Sequence, residues 1–139
     1  MNRDEIKTLL PHREPMLLVD EISLDEDGNA HGKYTVRGDE WFLQGHFPGN
    51  PVVPGVIQCE IMGQACALLL GDKVQGATPY YTGLDKVRFR NKVVPGDTIE
   101  VKAHITRSKG PFYFTHAEAR VNGKLCCEGE LFFAVVEGR

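Results

Sequence analysis

The sequence predicts an α+β fold in which a curved antiparallel sheet of five or six strands wraps around one central helix. Residues 56–70 contain 11 apolar residues out of 15, spread around the whole helical wheel, which is typical of a buried helix. Polar and apolar residues alternate from Thr98 to Thr106, as in a half-buried strand. Asn122-Gly123 lies between apolar-rich runs and suits the positive φ angles of a type I′ hairpin turn.

The first predicted element is a short amphipathic helix at the N-terminus. Asn2 is a good N-cap, and Pro11 ends the helix because proline cannot donate the next backbone hydrogen bond. Its apolar side contains Ile6, Leu9 and Leu10.

Strands and turns account for most of the remaining chain. Strands are predicted at 17–23 and 30–37, and turn clusters at 25–29, 95–97 and 109–111. Residues 41–55 contain three prolines and three glycines, which predicts a segment without regular structure. With 139 residues in total, we expect residues 1–139 to form one domain.

Charge and cysteine content limit the class of function. The chain has 16 basic and 19 acidic residues, so its net charge of −3 disfavours nucleic acid and anionic membranes as partners. Its most apolar segment is shorter than a membrane span and contains Glu60. The four cysteines lack zinc-finger or C-x-x-C spacing, which predicts reduced buried thiols and no metal. We therefore expect a cytoplasmic protein.

Residues 44–64 contain the groups best suited to chemistry. His46 lies in a stiff Pro/Gly loop, where a surface imidazole is the plain alternative to a catalytic base. Glu60 lies in the apolar helix, either as a buried hydrogen-bond or salt-bridge partner or as a carboxyl whose pKa is tuned by burial. Gln64, four residues on, can orient that carboxyl. Gly55 is expected to present a free N–H at the helix N-terminus, where it could polarise a carbonyl group.

The other four histidines are interpreted as surface imidazoles: His12, His31, His104 and His116. Gly63 costs helix stability, which close packing against the helix could explain.

A base, a buried acid and a carbonyl-polarising N–H together suit abstraction of a proton next to a carbonyl and loss of a β-hydroxyl.

A family resemblance supports this chemistry. From about residue 5 to residue 137, the sequence closely resembles the FabZ-type (3R)-hydroxyacyl-acyl carrier protein dehydratases of bacterial fatty-acid synthesis. The motifs that carry the resemblance are Leu10–Arg13, Met16–Asp20, Gly45–Gly49, Pro54–Val56 followed by Glu60, Asp85–Phe89 and Val94–Asp97. The resemblance implies a hot-dog fold, with neither cofactor nor metal.

It also implies an assembly and a role for each site residue. Two subunits pair edge to edge and share two active sites, and three such dimers usually form a hexamer. His46 of one subunit removes the α-proton, and Glu60 of the other handles the departing hydroxyl. Gly55 polarises the thioester carbonyl and Gln64 orients Glu60. A tyrosine that gates the tunnel corresponds to one of two adjacent positions, Tyr80 or Tyr81.

Two other functions and one docking surface complete the expectations. A hot-dog acyl thioesterase would use Glu60 either to activate water or as the nucleophile, and a non-catalytic acyl-binding subunit would need neither His46 nor Glu60. An acidic carrier protein would need a local basic patch. The candidates are spaced by two, which predicts one face of a strand, although a solvated face or a subunit contact would also fit: Lys86, Arg88, Arg90 and Lys92.

Overall fold

A computed structural model describes residues 1–138, in which two α-helices accompany one six-stranded sheet. The helices are α1 (Arg3–Leu9) and α2 (Gly55–Ala65). The strands are β1 (Glu21–Leu24), β2 (Ala30–Thr35), β3 (Ala77–Phe89), β4 (Thr98–Lys109), β5 (Phe112–Val121) and β6 (Lys124–Glu137). Short 3-10 helices occupy Trp41–Leu43 and Ala67–Lys73.

The sheet has the order β1-β2-β4-β5-β6-β3, and every neighbouring pair is antiparallel. Helix α2 packs against β2, β4, β5 and β6, so the sheet surrounds the helix as predicted. Strands β1 and β3 form the two edges. The free edge of β3 has no strand partner among residues 1–138, although β3 is 13 residues long.

The turn predictions are confirmed, and the alternation is confirmed as far as Ala103 but fails at Ile105, which is exposed next to a break in the register with β5. In β4, Ile99, Val101 and Ala103 are buried while the residues between them are exposed. Between β5 and β6, Asn122 and Gly123 have φ angles of 50° and 80°, as a type I′ turn requires.

The N-terminal helix also forms as predicted. The side chain of Asn2 accepts a hydrogen bond from the backbone N–H of Glu5 at 2.9 Å, and the Glu5 side chain accepts one from the N–H of Asn2. This reciprocal capping box satisfies backbone donors that a helix leaves free at its start. Ile6 and Leu9 are buried beneath the helix.

The prediction that α2 continues to residue 70 and is buried on all sides is wrong. The α-helix ends at Ala65, and 3-10 turns follow, with a positive φ of 62° at Gly71. One side of α2 is open: Val56 is 73 % exposed and Glu60 and Gly63 are half-buried, whereas Ile61 on the other side is buried. The apolar composition of α2 therefore does not mean that every face of the helix is buried within this chain.

The strand predicted at 17–23 forms only from Glu21. The reason lies in three backbone groups before Asp20, which bond to side chains instead of to a neighbouring strand. The guanidinium of Arg3 donates to the carbonyls of Leu17 and Val19, and the N–H of Leu18 donates to the Gln64 side chain.

The segment 41–55 is irregular except for the 3-10 turn at Trp41–Leu43. The prediction of no regular structure fails there because the glycines and prolines begin only at Gly45.

Two further observations concern partners and metals. Among residues 1–138, every helix is too short or too polar to reach across a bilayer. Within the same residues, no group of three or more His, Cys, Asp or Glu side chains is arranged to hold a metal ion. All four cysteines are buried free thiols, as the sequence predicts.

Candidate active site

His46 is held in its loop by backbone and ring contacts. Its N–H donates to the carbonyl of Leu43 at 3.2 Å, and its own carbonyl accepts from Val52 at 2.8 Å. The ring Nδ1 lies 2.9 Å from the Val52 carbonyl oxygen. Because a carbonyl can only accept, Nδ1 carries the hydrogen and Nε2 of the neutral ring keeps its lone pair. His46 is therefore oriented to take up a proton through Nε2.

His46 lines a cleft of about 500 Å³ together with Gly55, the first residue of α2. The N–H of Gly55 has no partner within the helix, because the first N–H groups of any helix lack one. The ring of Phe89 covers this turn so closely that a Cβ at position 55 would lie 2.7 Å from its Cε1. A side chain at position 55 would therefore displace the Phe89 ring, which is 56 % exposed and lies against the first turn of α2.

Gln58 is a polar residue of this cleft that the sequence reasoning missed. Its side chain is only 3 % exposed, and its Oε1 has no hydrogen-bond partner within residues 1–138. The interpretation of α2 as uniformly apolar hid it. Its position three residues after Gly55, on the same helix side, was the available signal.

Glu60 lines a different cavity, of about 210 Å³. Its side chain is 22 % exposed, so it lies at the open side of α2 and is not fully buried. Gln64 Nε2 donates to Glu60 Oε2 at 2.8 Å, which is the orienting contact expected from their spacing.

Gln64 is itself fixed by the segment that precedes β1. Its Nε2 donates to the carbonyl of Met16 at 2.7 Å, and its Oε1 accepts from the N–H of Leu18 at 2.7 Å. The side chain is 3 % exposed. The orientation of the acid therefore depends on a buried amide whose hydrogen-bonding groups are all used.

His12 is the second site residue that sequence reasoning missed, and its interpretation as a surface imidazole is wrong. It lines the Glu60 cavity, with Nε2 at 3.5 Å from Glu60 Oε2. The segment around it was interpreted as the end of α1 and as one motif of the family resemblance, which gave His12 no role, and nothing local indicates a contact with residue 60. The other three histidines, His31, His104 and His116, are exposed or half-buried, as expected.

The two candidate gate tyrosines have different environments. Tyr81 is held in place: its hydroxyl donates to the carbonyl of Cys59, and its ring stacks on Phe133 with 4.9 Å between centroids. Burial raises the pKa of Tyr81 above its usual range. Tyr80 is 56 % exposed at the mouth of the same cavity.

The chain by itself keeps the base and the acid apart. His46 and Gly55 line one cavity, and Glu60 and Gln64 line the other. Five residues separate Gly55 from Glu60, which places them roughly 140° apart around an α-helix. The two sets of groups thus lie on different sides of α2.

The four basic residues at the end of β3 and just beyond it do not share one strand face, so the prediction that they do is wrong. Lys86 has a positive φ of 52° within a bulge, which breaks the alternation with Arg88, and the strand ends at Phe89. Arg90 and Lys92 instead line the His46 cleft beyond the strand. The Arg90 Nε also lies 2.8 Å from a carboxylate oxygen of Glu128.

Comparison with solved structures defines the class of fold. The chain superposes on a dehydratase heterocomplex, ApeI:P from Xenorhabdus doucetiae, with a TM-score of 0.79 at 22% identity, covering 93% of this chain and 89% of that one. It also superposes on the fluoroacetyl-CoA thioesterase FlK with a TM-score of 0.68 at 17% identity, covering 85% of this chain and 90% of that one. Dehydratases and thioesterases thus share this hot-dog fold.

Comparison of sequences is more specific. Residues 10–130 match the FabA-like domain. The 3-hydroxyacyl-acyl carrier protein dehydratase FabZ of Clostridium perfringens is 44% identical over 137 residues, which cover 97% of this chain and 99% of that protein. The FabZ of Caldicellulosiruptor bescii is 46% identical over 137 residues, covering 96% and 98%. The chain belongs to the FabZ family of 3-hydroxyacyl-acyl carrier protein dehydratases, which confirms the resemblance.

Proposed function

We propose that this chain dehydrates (3R)-hydroxyacyl thioesters carried by acyl carrier protein to trans-2-enoyl thioesters in type II fatty-acid biosynthesis. Residues 1–139 act as one dehydratase domain in the cytoplasm, without cofactor or metal. The observation that supports this best is that one chain supplies both a histidine whose Nδ1 is held by a carbonyl, leaving Nε2 to accept a proton, and a carboxyl whose Oε2 is held by an amide.

The residues divide the reaction as follows. Nε2 of His46 takes the α-proton while the Gly55 N–H stabilises negative charge on the thioester oxygen. The carboxyl of Glu60 gives its proton to the β-hydroxyl, the C–O bond breaks, and water leaves. The Cα–Cβ double bond forms from the electrons of the former C–H bond. Proton exchange from His46 to Glu60 restores both groups.

A homodimer with shared sites would bring these groups together. The long free edge of β3 can pair with the same strand of a second copy, and unpaired edges are natural sites of such pairing. Large apolar side chains are exposed on or near this edge: Val56, Tyr80, Leu84 and Phe89. In such a pair, the His46 cleft of one subunit faces the Glu60 cavity of the other. Three such dimers would form the hexamer.

Of the two candidate gate residues, Tyr80 is the better one because it is exposed at the mouth of the cavity.

The product of the reaction distinguishes this function from the alternatives. We expect purified protein to form an enoyl thioester from a hydroxyacyl thioester, detected by ultraviolet absorbance, without release of free thiol. Free thiol would indicate a thioesterase, which shares the fold. Binding of the acyl group without either product would indicate a non-catalytic subunit.

Mixed variants test the shared site. His46→Ala and Glu60→Gln should each lower kcat by about 10²–10⁴-fold, because positioned acid–base groups contribute that much. Mixing the two inactive proteins should restore roughly a quarter of wild-type activity at full exchange, since half of the dimers are mixed and each has one intact site. If mass spectrometry shows mixed dimers and activity does not return, the shared-site arrangement is wrong.

A further inference from the structure

His12 contacts the proposed acid from a separate part of the chain. It lies two residues after the cap of α1 and lines the same cavity as Glu60. Its Nε2 is 3.5 Å from Glu60 Oε2. Its Nδ1 is buried and has no hydrogen-bond partner within residues 1–138.

The buried Nδ1 determines which form of the ring fits the site. In the neutral form with hydrogen on Nε2, Nδ1 is only an unused lone pair. The other tautomer and the charged ring would each bury an N–H donor without an acceptor, which is the more costly defect. In that tautomer the Nε2–H of His12 faces the carboxyl of Glu60 at 3.5 Å. Contacts of this kind are often long in an unliganded site and shorten when substrate binds.

Both donors approach the same oxygen atom of Glu60. Gln64 Nε2 lies 2.8 Å from Oε2, and His12 Nε2 lies on that oxygen as well. Within residues 1–138 no hydrogen bond is made to Oε1, and Glu60 lines the cavity. We propose that His12 is a positioning residue that, with Gln64, holds Oε2 of Glu60 so that Oε1 delivers the proton to the departing hydroxyl. This inference rests on the dehydratase function proposed above.

The backbone around His12 is held independently of its ring. The guanidinium of Arg13 donates to the carbonyls of Leu10 at 3.0 Å, of His12 at 2.7 Å and of Lys7 at 3.1 Å. A substitution of the His12 side chain therefore leaves the course of this segment unchanged. The variants can be compared for their effect on Glu60.

Two substitutions at position 12 distinguish the effect of the N–H donor from the effect of the shape of the ring. His12→Phe keeps a planar ring without a donor, and His12→Gln keeps an N–H donor of similar reach without an imidazole. His104→Phe is the matched control, since His104 is exposed on β4 away from the cavity. Each protein is assayed for dehydration of a carrier-free hydroxyacyl thioester, with kcat and KM determined separately. Thermal unfolding and size-exclusion chromatography verify that each variant is folded and assembled.

We expect His12→Phe to lower kcat about tenfold with KM within about twofold, because the N–H that lies 3.5 Å from the acid is lost. His12→Gln should keep most of the wild-type kcat, and His104→Phe all of it. Equal losses in the Phe and Gln variants, or a Phe variant as active as wild type, would overturn the role of His12 while the dehydratase function stands. An inactive wild type would overturn both proposals.

Discussion

Gly63 of α2 lies directly against the ring of Tyr81, so that a Cβ at position 63 would be 2.8 Å from the ring Cζ. The close packing anticipated at this glycine is present. Alanine favours helix by about 0.5–1 kcal/mol over glycine, but overpacking costs about 1–3 kcal/mol. We therefore expect Gly63→Ala to lower the free energy of unfolding by about 1–2 kcal/mol in urea denaturation. Gly45→Ala is the control, because a Cβ there meets nothing within 4 Å.

The two buried glutamines of α2 should respond in opposite ways to leucine. Gln64→Leu leaves the carbonyl of Met16 and the N–H of Leu18 without their side-chain partner, which should lower the unfolding free energy by about 3 kcal/mol. Gln58→Leu removes an amide oxygen that has no partner among residues 1–138, and it should raise the unfolding free energy by about 1 kcal/mol. Both are measured at one protein concentration. A loss of stability in Gln58→Leu would mean that its amide is paired in the assembled protein.

The basic residues of the His46 cleft are proposed to dock the acidic carrier protein. Lys92 is exposed and lines that cleft, whereas the guanidinium of Arg90 is paired with Glu128. We expect Lys92→Glu to raise KM for the carrier-bound substrate about tenfold and to weaken its salt dependence, because charge complementarity acts mainly on encounter.

Two comparisons make this test specific. Activity of Lys92→Glu on a short pantetheine thioester should stay within about twofold of wild type, since that substrate lacks the carrier protein. Lys102→Glu, an exposed position on β4, is the matched charge control. If Lys92→Glu lowers activity equally on both substrates, Lys92 supports the structure of the cleft and does not dock the carrier protein.

Alkaline pH should reveal the buried thiol of Cys66. Burial raises the pKa of Cys66 to about 12. The unfolded chain loses this proton near the ordinary thiol value of about 8.5, so the stabilisation is complete below that pH and is lost as pH rises toward 12. Between pH 9 and 11, one such group adds a slope of up to about 1.4 kcal/mol per pH unit.

The slope of unfolding free energy against pH measures this contribution. Cys66→Ala should be less stable at pH 7 because of the cavity it leaves, but its alkaline slope should be shallower than that of wild type. Met62→Ala creates a cavity at another fully buried position of α2 without removing a titrating group, so its slope should remain that of wild type. Identical slopes in all three proteins would assign the alkaline loss to other groups.

Local sequence patterns were sufficient for most of the fold. Asn122-Gly123, the alternation in β4 as far as Ala103 and the Asn2 cap each depend on neighbouring residues alone, and each is confirmed. The errors occur where distant parts of the chain compete for backbone groups. Leu18 is not in a strand, because its N–H is bound by the side chain of Gln64, 46 residues further along the chain.

The site divides in the same way. The contact between Glu60 and Gln64 follows from helix geometry and could be predicted from spacing. The contact between His12 and Glu60 joins two segments 48 residues apart, and no periodicity connects them. The bulge at Lys86 arises within β3 where it pairs with β6, so the regular spacing of the basic residues gave the wrong geometry.

The hydroxyl of Tyr81 joins the edge strand β3 to α2, the helix that carries Glu60. Tyr81 belongs to β3, and its hydroxyl is bonded to the carbonyl of Cys59, the residue immediately before Glu60. A shift of β3 along or away from the sheet therefore pulls on the helical turn that carries the acid. A second subunit or a small molecule that displaced this edge strand would therefore also displace the helical turn that precedes Glu60.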